Sequence, residues 1–167
     1  MKRLMLVAGW VVVCLTLGCG KGNAGMNAPD VAAVKAAGST LGKAVWADYV
    51  KMLDDLSALV GEKPDAATVK PKVAELRTRY VAVFVEHGRK REALDADGRE
   101  GFDGALRAAF SSASDDMTAW LTDAVDHYRP TDAALADDLA AFNTLTQYAN
   151  FEVLRKQKPD EAKRLGL

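Results

Sequence analysis

Apolar residues recur every three to four positions along most of this chain, and that spacing constrains the fold more than any other feature. Val45, Tyr49, Met52, Leu56 and Leu59 form one stripe, widened by Trp46, Leu53 and Val60. A second runs through Val69, Val73, Leu76, Tyr80, Val83, His87 and Leu94. A third joins Phe102, Leu106, Ala109, Ala113, Met117, Trp120, Ala124 and His127, and a fourth joins Leu135, Leu139, Phe142, Thr146, Ala149 and Val153. Steps of three and four keep side chains on one face of a helix with 3.6 residues per turn. No run alternates as a half-buried strand would. The expected class is all-α.

The punctuation divides the stripes into four. Gly61-Glu62-Lys63-Pro64-Asp65 closes the first helix, and Thr68 can cap the second with Pro71 still in its first turn. Asp97-Gly98-Arg99-Glu100 reads as an aspartate version of the capping box, and Pro130-Thr131-Asp132 separates the last two helices. The spacing predicts helices over about 30–60, 68–95, 98–129 and 132–157. Short connections make consecutive helices antiparallel neighbours. The expected architecture is an up-down-up-down antiparallel four-helix bundle over residues 30–158, followed by a basic tail, 159–167. Gly38-Ser39-Thr40-Leu41-Gly42 is poor helix material, so the first helix is expected to bend or begin there. The same Gly38-x-x-x-Gly42 spacing would also let another helix approach closely. Ser111 to Asp116 is weak too, yet the apolar phase passes through it from Leu106 to Trp120, so the third helix reads as continuous.

The N-terminus belongs to a different kind of segment. Met1-Lys2-Arg3 is positive, and the apolar run Leu4 to Leu17 is shorter than the roughly 20 residues that a membrane-crossing helix needs. This is the pattern of a secretory signal. Gly22-Asn23-Ala24 would suit an ordinary signal peptidase. Leu15-Thr16-Leu17-Gly18-Cys19, however, resembles the lipobox of bacterial lipoproteins. The resemblance implies that residues 1–18 are removed and that Cys19 becomes the acylated first residue. It also implies, because Gly20 rather than Asp follows, an outer-membrane anchor facing the periplasm. The chain has two cysteines, and Cys14 would leave with the signal. Cys19 would then be an unpaired thiol in an oxidising compartment, which acylation accounts for. Multiple acyl chains anchor stably. Residues 19–29 would form a flexible tether spanning about 17 Å.

What remains after the signal suits one domain. A composition 49% hydrophobic and 27% charged supports a packed core rather than disorder. The formal net charge of −1 becomes more negative without Lys2 and Arg3, which is no footprint for nucleic acid. His87 and His127 both lie on apolar stripes and invite a metal or haem. Antiparallel pairing of helices two and three would hold them about 30 Å apart, so they are read as structural. Neither follows a C-x-x-C, and the Glu-x-x-His pattern of di-iron bundles fails because residues 84 and 124 are Phe and Ala. His127 is expected to pair with Asp123 one turn earlier. Met26, Met52 and Met117 are scattered, the last two as core filler. The doublets Asp54-Asp55, Asp115-Asp116 and Asp137-Asp138 point about 100° apart on a helix and do not converge on one ligand. Nothing resembles a nucleophile elbow or a Gly-rich phosphate loop. No catalytic residue, metal ligand or cofactor is assigned, and an enzyme is not expected.

Two surface features are candidates for contact. Ala136, Ala140, Asn143, Gln147 and Asn150 would form an uncharged ridge on the fourth helix, a possible partner interface. Arg155, Lys156, Lys158, Lys163 and Arg164 outnumber Asp160 and Glu161 near the anchored end. Asp123, Asp126, Asp132, Asp137 and Asp138 face only Arg129 at the other end. Helix-dipole complementarity accounts for this separation, and contact of the basic residues with anionic headgroups is the second reading. The expectation is a lipoprotein held to the membrane through Cys19, whose helices serve as a structural or interaction module for an envelope protein. The alternative is a carrier of a small ligand or non-covalent cofactor, in a cavity lined by Trp46, Tyr80, Phe110 or Trp120.

Overall fold

A computed structural model of the chain describes residues 30–114 and 116–167. The signal-like segment, Cys19 and the tether lie outside the described residues. Seven α-helices and one 3-10 helix follow in order: α1 (Val31–Val60), α2 (Ala66–Glu92), α3 (Ala96–Ser112), α4 (Asp116–Tyr128), α5 (Ala133–Ala140), the 3-10 helix (Ala141–Ala149), α6 (Phe151–Gln157) and α7 (Pro159–Arg164). Among the described residues there is no strand, so the class is all-α.

Short polar side chains set the helix starts. Asp30, Asp95, Asp132 and Asn150 each accept a hydrogen bond from a backbone N–H in the following turn, satisfying donors that a helix leaves open. Asp95, not Asp97, caps α3. Asp65, not Thr68, stands at the start of α2.

Contacts between side chains fix the directions. His87 meets Asp48, while Tyr80 and Arg79 meet Asp55, so α1 and α2 run antiparallel. Lys35 meets Glu100 and Trp46 meets Phe110, so α1 and α3 run parallel. Lys70 meets Asp132, Arg77 meets Asp138 and Arg91 approaches Glu152, so α2 and the last segments also run parallel. The most extensive packing joins α1 to α3 rather than two consecutive helices. The glycines explain why. A Cβ on Gly38 would collide with the backbone of Gly98, one on Gly101 with the backbone of Lys35, and one on Gly42 would lie 2.6 Å from the Phe102 carbonyl oxygen. α1 passes unbroken through Gly38 and Gly42. The helix does not begin at this segment, and the bare backbone serves close approach.

The third and fourth predicted helices are each interrupted. After Ser112 the chain turns extended at Ala113 (φ −70°, ψ 140°) and resumes helix at Asp116. Ser111, Ser112 and Ser114 compete for backbone hydrogen bonds and are weak helix formers. The break also resets the phase. Leu121, Ala124 and Tyr128 are buried where Trp120, Ala124 and His127 were expected, and His127 is exposed. From Leu139 at the end of α5, the large buried residues Phe142, Leu145, Tyr148, Phe151 and Leu154 follow in steps of three, with the expected Ala149 also buried beside Tyr148. A 3-10 helix has three residues per turn, so this stripe stays on one face. The C-terminal segment is no free tail. α7 packs against α6 and shares a cleft with α2, with Ala162 buried.

The core is continuous. Met52, Leu56, Phe84, Phe102, Phe142 and Tyr148 are among its buried members, whereas Val31 and Phe110 are large apolar residues left exposed. Among the described residues, no helix is long and apolar enough to cross a membrane.

Candidate functional site

Ionisable side chains converge beside apolar surface where α7 meets the 3-10 helix and α2. Pro159 at the first position of α7 starts the helix in a conformation its ring favours. One turn of α7 then brings Glu161 to Tyr148 of the 3-10 helix, whose hydroxyl donates to Oε1 over 2.9 Å. Arg164 grips the same carboxylate with two nitrogens, at 2.8 and 2.6 Å. Lys158 donates to Thr144 Oγ1 over 3.0 Å, and its ammonium lies 5.8 Å from the Tyr148 ring centre. Arg77 reaches in from α2, with its Nε buried and unpartnered and its NH1 3.8 Å from Asp138.

This environment polarises both groups of the central bond. The Arg164 guanidinium, helped by the Tyr148 hydroxyl, holds the Glu161 carboxyl down at about 2. Burial, reinforced by the Glu161 carboxylate, pushes the Tyr148 phenol up to about 12. Burial beside Arg77 lowers Lys158. Tyr148 therefore stays a neutral donor and Glu161 an ionised acceptor, an arrangement suited to a latch. Two surface clefts flank it. One, of about 380 Å³, is floored by Val81, Ala82, Val85 and Leu165 and edged by Arg77, Arg89 and Arg164. The other, of about 440 Å³, lies between Arg77, Tyr148 and the Lys158–Glu161 turn.

The sequence candidates fall elsewhere or are divided. Ala136 is fully buried, Ala140 and Gln147 are half-buried, and Asn143 is exposed. Asn150 accepts a hydrogen bond from Val153 N as the cap of α6. Burial of Ala136 within α5, and the change to three residues per turn after Ala140, divide the set. Of the basic residues, Arg155 lies 4.0 Å from Glu92, Lys158 and Arg164 belong to the latch, and Lys156 and Lys163 are exposed. They share no single face. The aromatic candidates are not gathered around a cavity. Trp46 and Phe110 meet edge to face at 4.9 Å, Tyr80 donates to Asp55 over 2.7 Å, and the Trp120 indole donates to the Met117 carbonyl.

The histidines are also separate. His87 Nε2 is 2.7 Å from Asp48 Oδ2, and its Nδ1 is buried without a partner. His127 packs edge-on against Tyr128 beside the α1–α2 turn. Among the described residues, no three His, Cys, Asp or Glu side chains are grouped to hold a metal. A site that sequence patterning missed is the Arg91 cluster. Arg91 is 2% exposed, and its guanidinium is hydrogen-bonded to Asp103 at 3.2 and 3.0 Å and set 5.5 Å from the Phe102 ring centre. The stripe through Phe84, His87 and Gly88 continues to Arg91 by steps of three and one, which would have placed it inside. Nothing in the sequence named its partner, since Asp103 comes from the next helix.

No family model matches the chain, and no curated protein or solved structure shows significant similarity to it.

Proposed function

We propose that this protein is a membrane-anchored lipoprotein facing the bacterial periplasm, whose helices form a structural or interaction module. The anchor would be Cys19, acylated after removal of residues 1–18, with residues 19–29 as tether. The fold read at the finest level is an up-down-up-down four-helix bundle. In that plan α3, α4 and their break form the third rod, while α5, the 3-10 helix and α6 form the fourth. The shared direction of α1 and α3, and of α2 and the last segments, agrees with such a plan, while the close packing of α1 on α3 joins two helices that the plan sets on a diagonal.

The observation that carries the interaction reading is the packing of Trp46 on Phe110. The aromatic rings that a carrier would turn toward an internal ligand are spent on each other. The clefts lie on the surface, where a protein partner can reach them. The test combines two measurements on the full chain and on residues 20–167. Metabolic labelling with a clickable palmitate analogue is expected to tag the full chain but not Cys19→Ser. A native mass spectrum with a visible absorption scan of the secreted 20–167 chain is expected to show the bare mass and no band. A stoichiometric extra mass would overturn this reading in favour of the carrier.

A further inference from the structure

We propose that the groove between α2 and α7 docks an acidic amphipathic helix of a partner protein. The proposal deepens the interaction-module reading and does not depend on the lipid anchor. The groove floor is Val81, Ala82 and Val85 of α2 and Leu165 of α7. Residues 77, 81, 85 and 89 step by four, so they form one ridge along α2, the kind that receives the side chains of a crossing helix. From Arg77 to Arg89 that ridge is about 18 Å long. The cleft of about 380 Å³ is partly open to solvent, which lets the side chains of a docked helix enter it.

Charge selects the occupant. Arg77 stands at one end, Arg89 at the other and Arg164 on the α7 wall. Glu161, the one carboxylate lining the groove, is already held by Tyr148 and Arg164. Arg77 and Arg89 make only loose pairs, at 3.8 Å to Asp138 and 3.5 Å to Glu86, and Arg77 Nε has no partner. Both can exchange those contacts for a carboxylate that arrives with correct geometry. Cations at both ends of an apolar floor match a helix with acidic residues about three turns apart and leucine-like residues at i and i+4 between them. A single-headed fatty acid would satisfy one end and leave the other vacant.

The test is an NMR titration of isotope-labelled 20–167 chain with three probes. They are a designed peptide of about 18 residues with terminal glutamates and central leucines, its lysine counterpart, and decanoate. The expected result is saturable binding of the glutamate peptide, with shifts confined to residues 77–89 and 161–165. Binding should weaken about tenfold or more for the lysine peptide and for Arg77→Glu/Arg89→Glu, with the lysine peptide regaining affinity for that variant. Arg89 is well exposed, whereas Arg77 also borders the latch, so Arg89→Glu alone is tested beside the double variant, and circular dichroism with the α7 amide signals checks that each keeps its fold. Ala82→Glu, an exposed change in the floor, should block binding independently. Equal binding of both peptides, saturation by decanoate but not by the glutamate peptide, shifts elsewhere, or no saturation at millimolar peptide would each overturn the proposal. None of these outcomes bears on palmitate labelling, so the two readings fail separately.

Discussion

Two glycines of α3 distinguish packing from propensity. Gly101 lies against the Lys35 backbone, whereas a Cβ on Gly104, one helical turn along, would meet nothing within 4 Å. Alanine is favoured over glycine in a helix interior by roughly 0.5–1 kcal/mol. Gly104→Ala should therefore stabilise the protein by about that amount. Gly101→Ala and Gly38→Ala should destabilise it by about 1–3 kcal/mol or more, because backbone rather than a flexible side chain must move. Urea denaturation of the three variants beside the parent protein checks the opposite signs. The close-approach spacing was readable in Gly38-x-x-x-Gly42. Its facing glycines were not, because their register depends on two helices separated in sequence by the whole of α2. The same limitation hid the Asp48–His87 and Arg91–Asp103 pairs, each of which joins different helices.

At the scale of elements, helical class was legible throughout and helix continuity was not. The period-three series Leu139, Phe142, Leu145, Tyr148, Phe151 and Leu154 stood in the sequence, but it overlaps a period of 3.6 at Leu139 and Phe142, where the two readings coincide. They separate only at Leu145 against Thr146. Leu145 is buried where Thr146 is half-buried, and Leu154 where Val153 is half-buried, which favours three, although Tyr148 and Ala149 are both buried. The latch that holds α7 rests on this segment, because Tyr148 belongs to the 3-10 stretch.

Its pH dependence follows from the two shifted groups. Glu161, lowered from 4.5 to about 2, contributes stability that is complete above its unfolded value and is lost as pH falls from about 4.5 toward 2. Tyr148, raised from 10 to about 12, contributes stability that is complete below 10 and is lost as pH rises from 10 toward 12. Hydrogen exchange of the α7 amides, corrected for intrinsic rate, should thus be slowest between those limits. Glu161→Gln should flatten the acid limb while leaving α1 and α2 protected. An unchanged acid limb in that variant would show that another carboxyl governs the loosening of α7.

Across the whole molecule, the apparent charge separation of the sequence is largely neutralised by pairing between segments distant in sequence. Lys70 and Arg129 meet Asp132 and Asp137 at the end that holds the α1–α2 turn, and Arg77 stands near Asp138. At the other end Lys35, Arg91 and Arg99 face Glu100, Asp103 and Glu152. A basic side chain near an anionic membrane contributes about 1 kcal/mol. Five unpaired cations at the C-terminus would hold the domain to a bilayer by themselves. With Arg155 near Glu92, Arg164 paired to Glu161 and the half-buried Lys158 turned onto the Thr144 hydroxyl, Lys156 and Lys163 are the exposed cations that remain. Their attraction is about 2 kcal/mol before the neighbouring carboxylates oppose it. Attachment should then depend on the acyl group. In fractionated cells Cys19→Ser, if exported, is expected in the soluble envelope fraction, and purified 20–167 chain should bind neutral and anionic vesicles alike at physiological salt. Retention of Cys19→Ser on membranes, released by high salt, would mean that the basic residues carry the attachment after all. Retention that resists salt would point instead to an uncleaved apolar run between Leu4 and Leu17, and N-terminal sequencing of the retained protein separates that case from acylation at another residue.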